Sequence, residues 1–292
     1  MKTTMKHIYI ITVVLISIFG MSCSEGDWKD YTPPTEVIID DEDIEDEEID
    51  EVTLKVMSFG IYNQHADLNQ VAALISNYDP DLVVLREIDH YNARTGIEIE
   101  QGLTVANALG MNYYFASGRS YQQGEYGPSM LSKFPIVNPQ STVLPVGPIY
   151  GGVEKPFAWA EIEIADNVTI GFASATLDDG SNANRNAENQ PLQAQKILDL
   201  FTGYEYPLII GGNFYSQTDT DPHLQMLYQE FTPGCSNCEL TYPGSSPQYV
   251  ADHIIYRTMP GYEMEVLSYE VGNEVINERK PVISEIKLTI VE

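Results

Sequence analysis

The sequence predicts one mixed α/β domain over residues 53–292, with strands outnumbering helices by about two to one. Three observations lead there. Short apolar runs and alternating segments recur along the chain, as strands require. Between them lie stretches with apolar residues at i, i+3, i+4 and i+7, as helices require. Hydrophobic residues make up 43% of the 292, enough to bury a sizeable core.

Val52 to Tyr62 alternates, with Leu54, Val56 and Ile61 among its apolar members, and reads as a strand. Leu68, Val71, Ala72 and Ile75 then form a helix face, with Asp67 as N-cap. Leu82 to Leu85 is continuously apolar, hence a buried strand. A helix covers Leu103 to Leu109 and stops at Gly110. Tyr113–Ala116, Ser129–Ser132, Phe157–Ile164 and Val168–Ala175 read as strands. Ala194, Ile197, Leu198 and Phe201 repeat the helix face. Leu208–Ile210, Ile254–Tyr256 and Val282–Val291 complete the strands. No internal repeat of fixed short period is found.

The first residues have a different character. Lys2 and Lys6 precede an apolar run, Ile8 to Met21, of signal-peptide length. It ends at Gly20-Met-Ser-Cys23, which resembles a bacterial lipobox with Gly20 in place of the usual leucine. Residues 1–23 are therefore expected to be a lipoprotein signal peptide with Cys23 lipidated; a plain secretory peptide or an uncleaved anchor is the alternative. Ser24-Glu-Gly-Asp27 resembles the surface-export signals of Bacteroidetes lipoproteins. The expected location is the outer membrane, at the cell surface, with the lipid as the only membrane contact. Residues 24–52 read as an acidic, disordered tether, because ten of the twelve residues from Asp40 to Glu51 are carboxylates that repel one another. A calcium-binding arm is the other reading, but the acids lack calcium-loop spacing.

The whole chain carries 43 acidic against 15 basic side chains, a net charge of −28. Such a surface repels phosphate backbones and argues against a nucleic-acid partner. Cys235 and Cys238 are expected to form a small local disulfide, since an exported protein meets oxidant. A zinc site would need two further ligands, and the sequence shows no second Cys pair or His cluster.

Between the elements lie Leu54-Lys-Val-Met-Ser-Phe-Gly60, Asp79-Pro-Asp-Leu-Val-Val-Leu-Arg-Glu87-Ile-Asp89, Tyr126-Gly-Pro-Ser-Met-Leu-Ser-Lys-Phe-Pro135-Ile136, Ala175-Thr-Leu-Asp178, Ile209-Ile-Gly-Gly-Asn-Phe-Tyr215, Thr241-Tyr-Pro243, Ala251-Asp-His-Ile254 and Glu278-Arg-Lys-Pro-Val282. In order and spacing this series, over about residues 53–290, resembles the endonuclease/exonuclease/phosphatase superfamily. The resemblance implies a four-layer α/β sandwich, two packed mixed sheets flanked by helices, with a site at one end. It also implies metal-assisted phosphoester hydrolysis, with magnesium or calcium as the cation.

Carried over position by position, the resemblance leaves most of the machinery altered. The metal-binding Asn of the first strand is Gly60, and a catalytic His is Thr176. The Asp and Asn of Gly-Asp-Phe-Asn are Asn213 and Tyr215. The Ser-Asp-His triplet is Asn277, Glu278 and Arg279. Glu87 and Asp252 remain. Glu87 and Glu278 are the candidate metal ligands, and Asp252 is expected to pair with Arg279. Arg279 stays charged at physiological pH and cannot serve as a base. His65, Asn63, His90, His253, Asp178 and Asp179 are the available stand-ins. Tyr62, Tyr150, Trp159, Tyr215 and Tyr242 are candidate ligand-stacking aromatics.

Two functions follow. One is a surface lipoprotein with a degenerate active site, a non-catalytic binding pseudoenzyme that requires no cofactor and takes an unidentified ligand such as a glycan. The other is a divergent metal-dependent phosphoesterase with a rebuilt site.

Overall fold

The computed structural model describes residues 50–62, 66–179, 182–216 and 220–291. The signal peptide, Cys23, most of the tether, Asn63 and His65 lie outside them.

The chain opens with β1 (Glu51–Gly60), α1 (Leu68–Tyr78), β2 (Leu82–His90) and α2 (Gln101–Leu109). Next come β3 (Asn112–Phe115), β4 (Arg119–Tyr121), β5 (Gly124–Ser132), β6 (Ile136–Leu144), β7 (Lys155–Ala165) and β8 (Val168–Thr176). Then follow α3 (Ala183–Leu200), β9 (Leu208–Ser216), α4 (Pro222–Leu227), β10 (Thr232–Pro233), β11 (Val250–Arg257), β12 (Tyr262–Val271) and β13 (Val282–Ile290). The domain begins slightly earlier than expected. Glu51 pairs with Thr289, and the Ile290 amide donates to the Asp50 carbonyl, because β13 is long enough to recruit the end of the acidic tract.

One sheet runs β12-β13-β1-β2-β5-β3, with β4 also on β5; the other runs β10-β11-β9-β8-β7-β6. Each is antiparallel except for one parallel pair, β1 with β2 and β8 with β9. The alternation of side chains across strands sorts the apolar residues into three layers. Leu54, Val56, Leu82 and Val84 meet Ala160, Ile170, Phe172 and Ile209 between the sheets. Met57, Phe59, Val83 and Leu85 face α1 and α2 through Val71, Ile75 and Val105. Ala173, Ala175, Leu208 and Ile210 face α3 and α4 through Ala194, Ile197 and Leu224. This is the four-layer sandwich, helices outside two mixed sheets.

Local signals behave as their chemistry dictates. Asp67 accepts from the Asn69 and Gln70 amides at the start of α1, and Gly110 takes a left-handed conformation (φ +68°) at the end of α2. Strands β4, β6, β10 and β12 and helix α4 escape the sequence pattern. β6 carries Pro139 and a polar middle and is bulged between Val137 and Gln140. β12 alternates Tyr262, Met264 and Val266 with Glu263 and Glu265, so only one face is apolar there.

Candidate functional site

The carboxyl ends of β1, β2, β8 and β9 converge with the loops around residues 242 and 278. A pocket of about 70 Å³ lies there, lined by Tyr62, Glu87, Tyr126, Lys155, Thr176, Asp179 and Arg279 among others.

β2 delivers two charged side chains to this end. Its pairing with β5 is bulged between Leu85 and Ile88, and Glu87 is left-handed there (φ +63°). The bulge breaks strict alternation, so the adjacent Arg86 and Glu87 both reach buried partners. Arg86 donates to Asp252 of β11, a pair whose side chains are 0% and 1% accessible. Arg279 donates from Nη2 to Glu87 Oε1 at 2.6 Å, with both side chains 6% accessible. Thr241 Oγ1 accepts from the Ala251 and Asp252 amides and fixes the bulge that sets Asp252.

The expected Asp252–Arg279 pair is thus corrected. Asp252 is bonded to Arg86, which lies deeper in an apolar strand and has no water to turn to. Arg279 takes Glu87 instead, while still feeling the field of Asp252. Burial would lower its pKa, but Glu87 and Asp252 outweigh burial and raise it. A guanidinium so held is no proton acceptor at any physiological pH.

The expected Glu87–Glu278 ligand pair is also corrected. The Glu278 carboxylate is exposed and accepts from the Ser245 amide and hydroxyl at 3.1 and 2.7 Å, whereas Glu87 is buried on Arg279. Those hydrogen bonds hold the Glu278 pKa below the usual range. Gly60 closes the account of the family metal. A Cβ there would stand 3.4 Å from Arg86 Nη2 and 3.5 Å from Arg279 Cγ and Nε. The space beyond a side chain's first carbon is held by two guanidinium groups. A divalent cation needs several oxygen donors and meets here two buried cations, each already bonded to a retained carboxylate. The donor set does not fit the metal.

The remaining positions are each hydrogen-bonded within the fold. Asn213 Oδ1 accepts from the Tyr215 amide at 2.9 Å. Asn277 donates to the Ile61 carbonyl at 3.0 Å. Asp178 is buried and accepts from Arg185 and Asn189 at 2.9 and 2.5 Å. Asn189 accepts from the Gly147 amide and donates to the Gly151 carbonyl, and so ties the loop before β7 to α3. Asp179 is bonded by Lys155 at 2.6 Å. Burial pushes its carboxyl up, but Lys155 and Arg279 prevail and hold it below the usual range. His90 stacks on Phe115 at 4.4 Å between Glu100 and Glu125, away from the pocket. His253 lies buried on the opposite side of β11 from Asp252, as strand alternation requires.

Of the aromatics, Tyr62, Tyr215 and Tyr242 come together. The Arg279 guanidinium lies 4.5 Å from the Tyr242 ring centre and 5.6 Å from that of Tyr62. Tyr215 neighbours Tyr242 and Tyr249 at 6.3 and 5.9 Å. Trp159 belongs instead to the core under α3, against Phe157 and Phe201, because it sits on the helix-facing side of β7. Tyr150 is exposed on the loop tied to Glu188. Tyr62, Glu87, Tyr215, Asn277 and Glu278 all have φ between +45° and +65°. Left-handed conformations cost about 1–2 kcal/mol per non-glycine residue, so the end of the sandwich keeps a strained, site-like backbone.

Sequence reasoning missed Arg86, Lys155, Tyr126 and Tyr249. Arg86 had a signal: an arginine inside the apolar run Leu82–Ile88 demands a buried carboxylate.

Two mixed sheets between helix layers, with motif-bearing loops gathered at one end, define an endonuclease/exonuclease/phosphatase-type domain. A family model described as the PGAP2IP C-terminal nuclease-like domain matches residues 48–234, more than half of the chain, and the chain belongs to that family. No curated protein matches it. Among solved structures it is similar to an endonuclease/exonuclease/phosphatase family protein from Bacteroides thetaiotaomicron (14% identity, 83% of this chain and 100% of that one, TM-score 0.63). It is similar also to a mannosyl-6-phosphatase of Bacteroides thetaiotaomicron VPI-5482 (17%, 80% and 99%, TM-score 0.59). A third is the human Nocturnin catalytic domain with bound sulfate (15%, 82% and 97%, TM-score 0.62). At these identities the likeness is one of fold.

Proposed function

We propose that this chain is a surface-anchored lipoprotein, held to the outer membrane through lipidated Cys23, that uses a degenerate hydrolase cleft to bind a ligand without cleaving it. One observation carries the reading: the two retained acidic residues are each bonded to a buried arginine, Glu87 to Arg279 and Asp252 to Arg86. No metal or other cofactor is required. Thr176 and Arg279 stand where the family has its two histidines, and neither can take the proton of an attacking water.

The ligand is a glycan. Tyr62 and Tyr242 on Arg279, with Tyr215 and Tyr249 beside them, offer apolar ring faces at the mouth. The Lys155–Asp179 pair on the other wall offers hydrogen bonds to hydroxyls. The acidic surface disfavours nucleic acid.

The test combines turnover and binding. Purified protein is assayed on phosphomonoesters, phosphodiesters and phospholipid head groups, with magnesium or calcium and with chelator. Binding to neutral sugars and to mannose 6-phosphate is measured by calorimetry on wild type and Tyr242→Ala. Saturable sugar binding weakened by Tyr242→Ala, without turnover, is expected. Chelator-sensitive turnover lost in Glu87→Ala would instead establish a rebuilt metal-dependent phosphoesterase.

A further inference from the structure

A second constellation lies on the other side of β11, independent of the cleft. Cys235 and Cys238 form a disulfide, with Cα atoms 5.2 Å apart, in the loop after β10. One ligand atom each of Cys235, Cys238 and His253 lies within 4.8 Å of the other two. The sequence offered only the cysteines; folding brings the histidine.

The hydrogen bonds decide which nitrogen of His253 is available. Ser216 Oγ donates to the Val250 carbonyl at 2.6 Å, so its only hydrogen is used. His253 Nε2 lies 2.7 Å from that Oγ and 3.0 Å from the same carbonyl. Both can only accept, so Nε2 carries the ring proton. Nδ1 then holds a bare lone pair, and it is buried with no hydrogen-bond partner among the described residues. An imidazole whose N–H is fixed by a carbonyl and a hydroxyl, with its other nitrogen unprotonated, is the arrangement found at metal-ligating histidines. A cavity of about 440 Å³ lined by Cys235, Cys238, His253, Gln225 and Tyr228 adjoins the three groups and gives an entry path.

We propose that, once the disulfide is reduced, Cys235 Sγ, Cys238 Sγ and His253 Nδ1 form a zinc site with an open fourth position. A reductant, a dithiol or a phosphine, supplies two electrons and the S–S bond breaks. Two protons from water complete the thiols, and zinc displaces them on binding. The sulfurs need part only to about 3.8 Å, the edge of a tetrahedron with Zn–S bonds of about 2.3 Å. The Cys-x-x-Cys spacing allows this within one loop. Because the disulfide uses both sulfurs, oxidation closes the site.

The full chain, oxidised or reduced with a non-chelating phosphine, is dialysed against zinc, and bound metal is counted. One zinc per reduced chain and none per oxidised chain are expected. Zinc-edge X-ray absorption of the reduced wild type should show two sulfur ligands and one nitrogen, a readout that needs no variant. Cys235→Ser should abolish uptake. Ser216→Ala, which keeps the ligand but frees its Nε2–H, should weaken binding by about 10–100-fold. No zinc in the reduced chain, sulfur-only ligation, or unchanged affinity in His253→Asn would each overturn the site.

Discussion

Arg279→Met removes the charge from the Glu87 pair while keeping most of the apolar stem. Both partners are 6% accessible, and Arg279 Nη2 supplies the hydrogen bond to Glu87 Oε1 at 2.6 Å. Glu87 Oε2 has no other partner among the described residues. The variant therefore leaves a buried carboxylate with neither counter-charge nor donor, which costs about 3–5 kcal/mol. In a domain of this size that lowers Tm by roughly 6–20 °C. Arg279→Met also loses the contact with the Tyr242 ring, worth about 0.5–2 kcal/mol. The double variant Glu87→Leu/Arg279→Met loses that contact too but orphans no charge, so comparing the two isolates the carboxylate. Its stability should lie within about 2 kcal/mol of wild type, because apolar replacement of a buried pair is often neutral or better. Urea denaturation of wild type, both singles and the double completes the cycle. The reasoning fails if Arg279→Met costs less than about 1 kcal/mol, or if the double variant is as unstable as the single.

Gly60→Asn, which restores the family residue, should destabilise by about 1–3 kcal/mol, since its amide must displace Arg86 or Arg279; thermal melts with and without magnesium should show the loss and no metal-dependent recovery. Burial holds His253 at a pKa of about 4 against 6.5 for an ordinary histidine. Between those values the unfolded chain binds a proton that the folded one refuses, so this share of stability is present above pH 6.5 and lost as pH falls towards 4. It amounts to ~3 kcal/mol, read as the change with pH in the stability difference between wild type and His253→Gln. Asn189→Ala should cost about 2–3 kcal/mol by removing the side chain that bonds the buried Gly147 amide and the Asp178 carboxylate. Amide exchange at Gly147 should accelerate beyond the global effect; a uniform change across the domain would contradict the loop-tying role.

The sequence by itself determined the fold class, the order of most elements and the residue types that stand at the motif positions. Periodicity and caps act within a few residues: the face Leu68, Val71, Ala72, Ile75 with Asp67 before it specifies α1 wherever the helix packs. Arg279 announced by its chemistry alone that no base stands at that position. Only the tertiary structure decided the partners. Arg86 and Asp252 are 166 residues apart and meet because the bulges of β2 and β11 aim them at one another. The choice of Arg86 over Arg279 for Asp252 is a competition between buried charges, settled by depth and register. Trp159 went to the core and Tyr62 to the cleft for the same kind of reason, the face of the strand or the turn that carries each. His253 met the cysteine pair because the loop after β10 folds back over β11. Local pattern is written in neighbouring residues, whereas pairing depends on which strands lie side by side, and no window of sequence contains that.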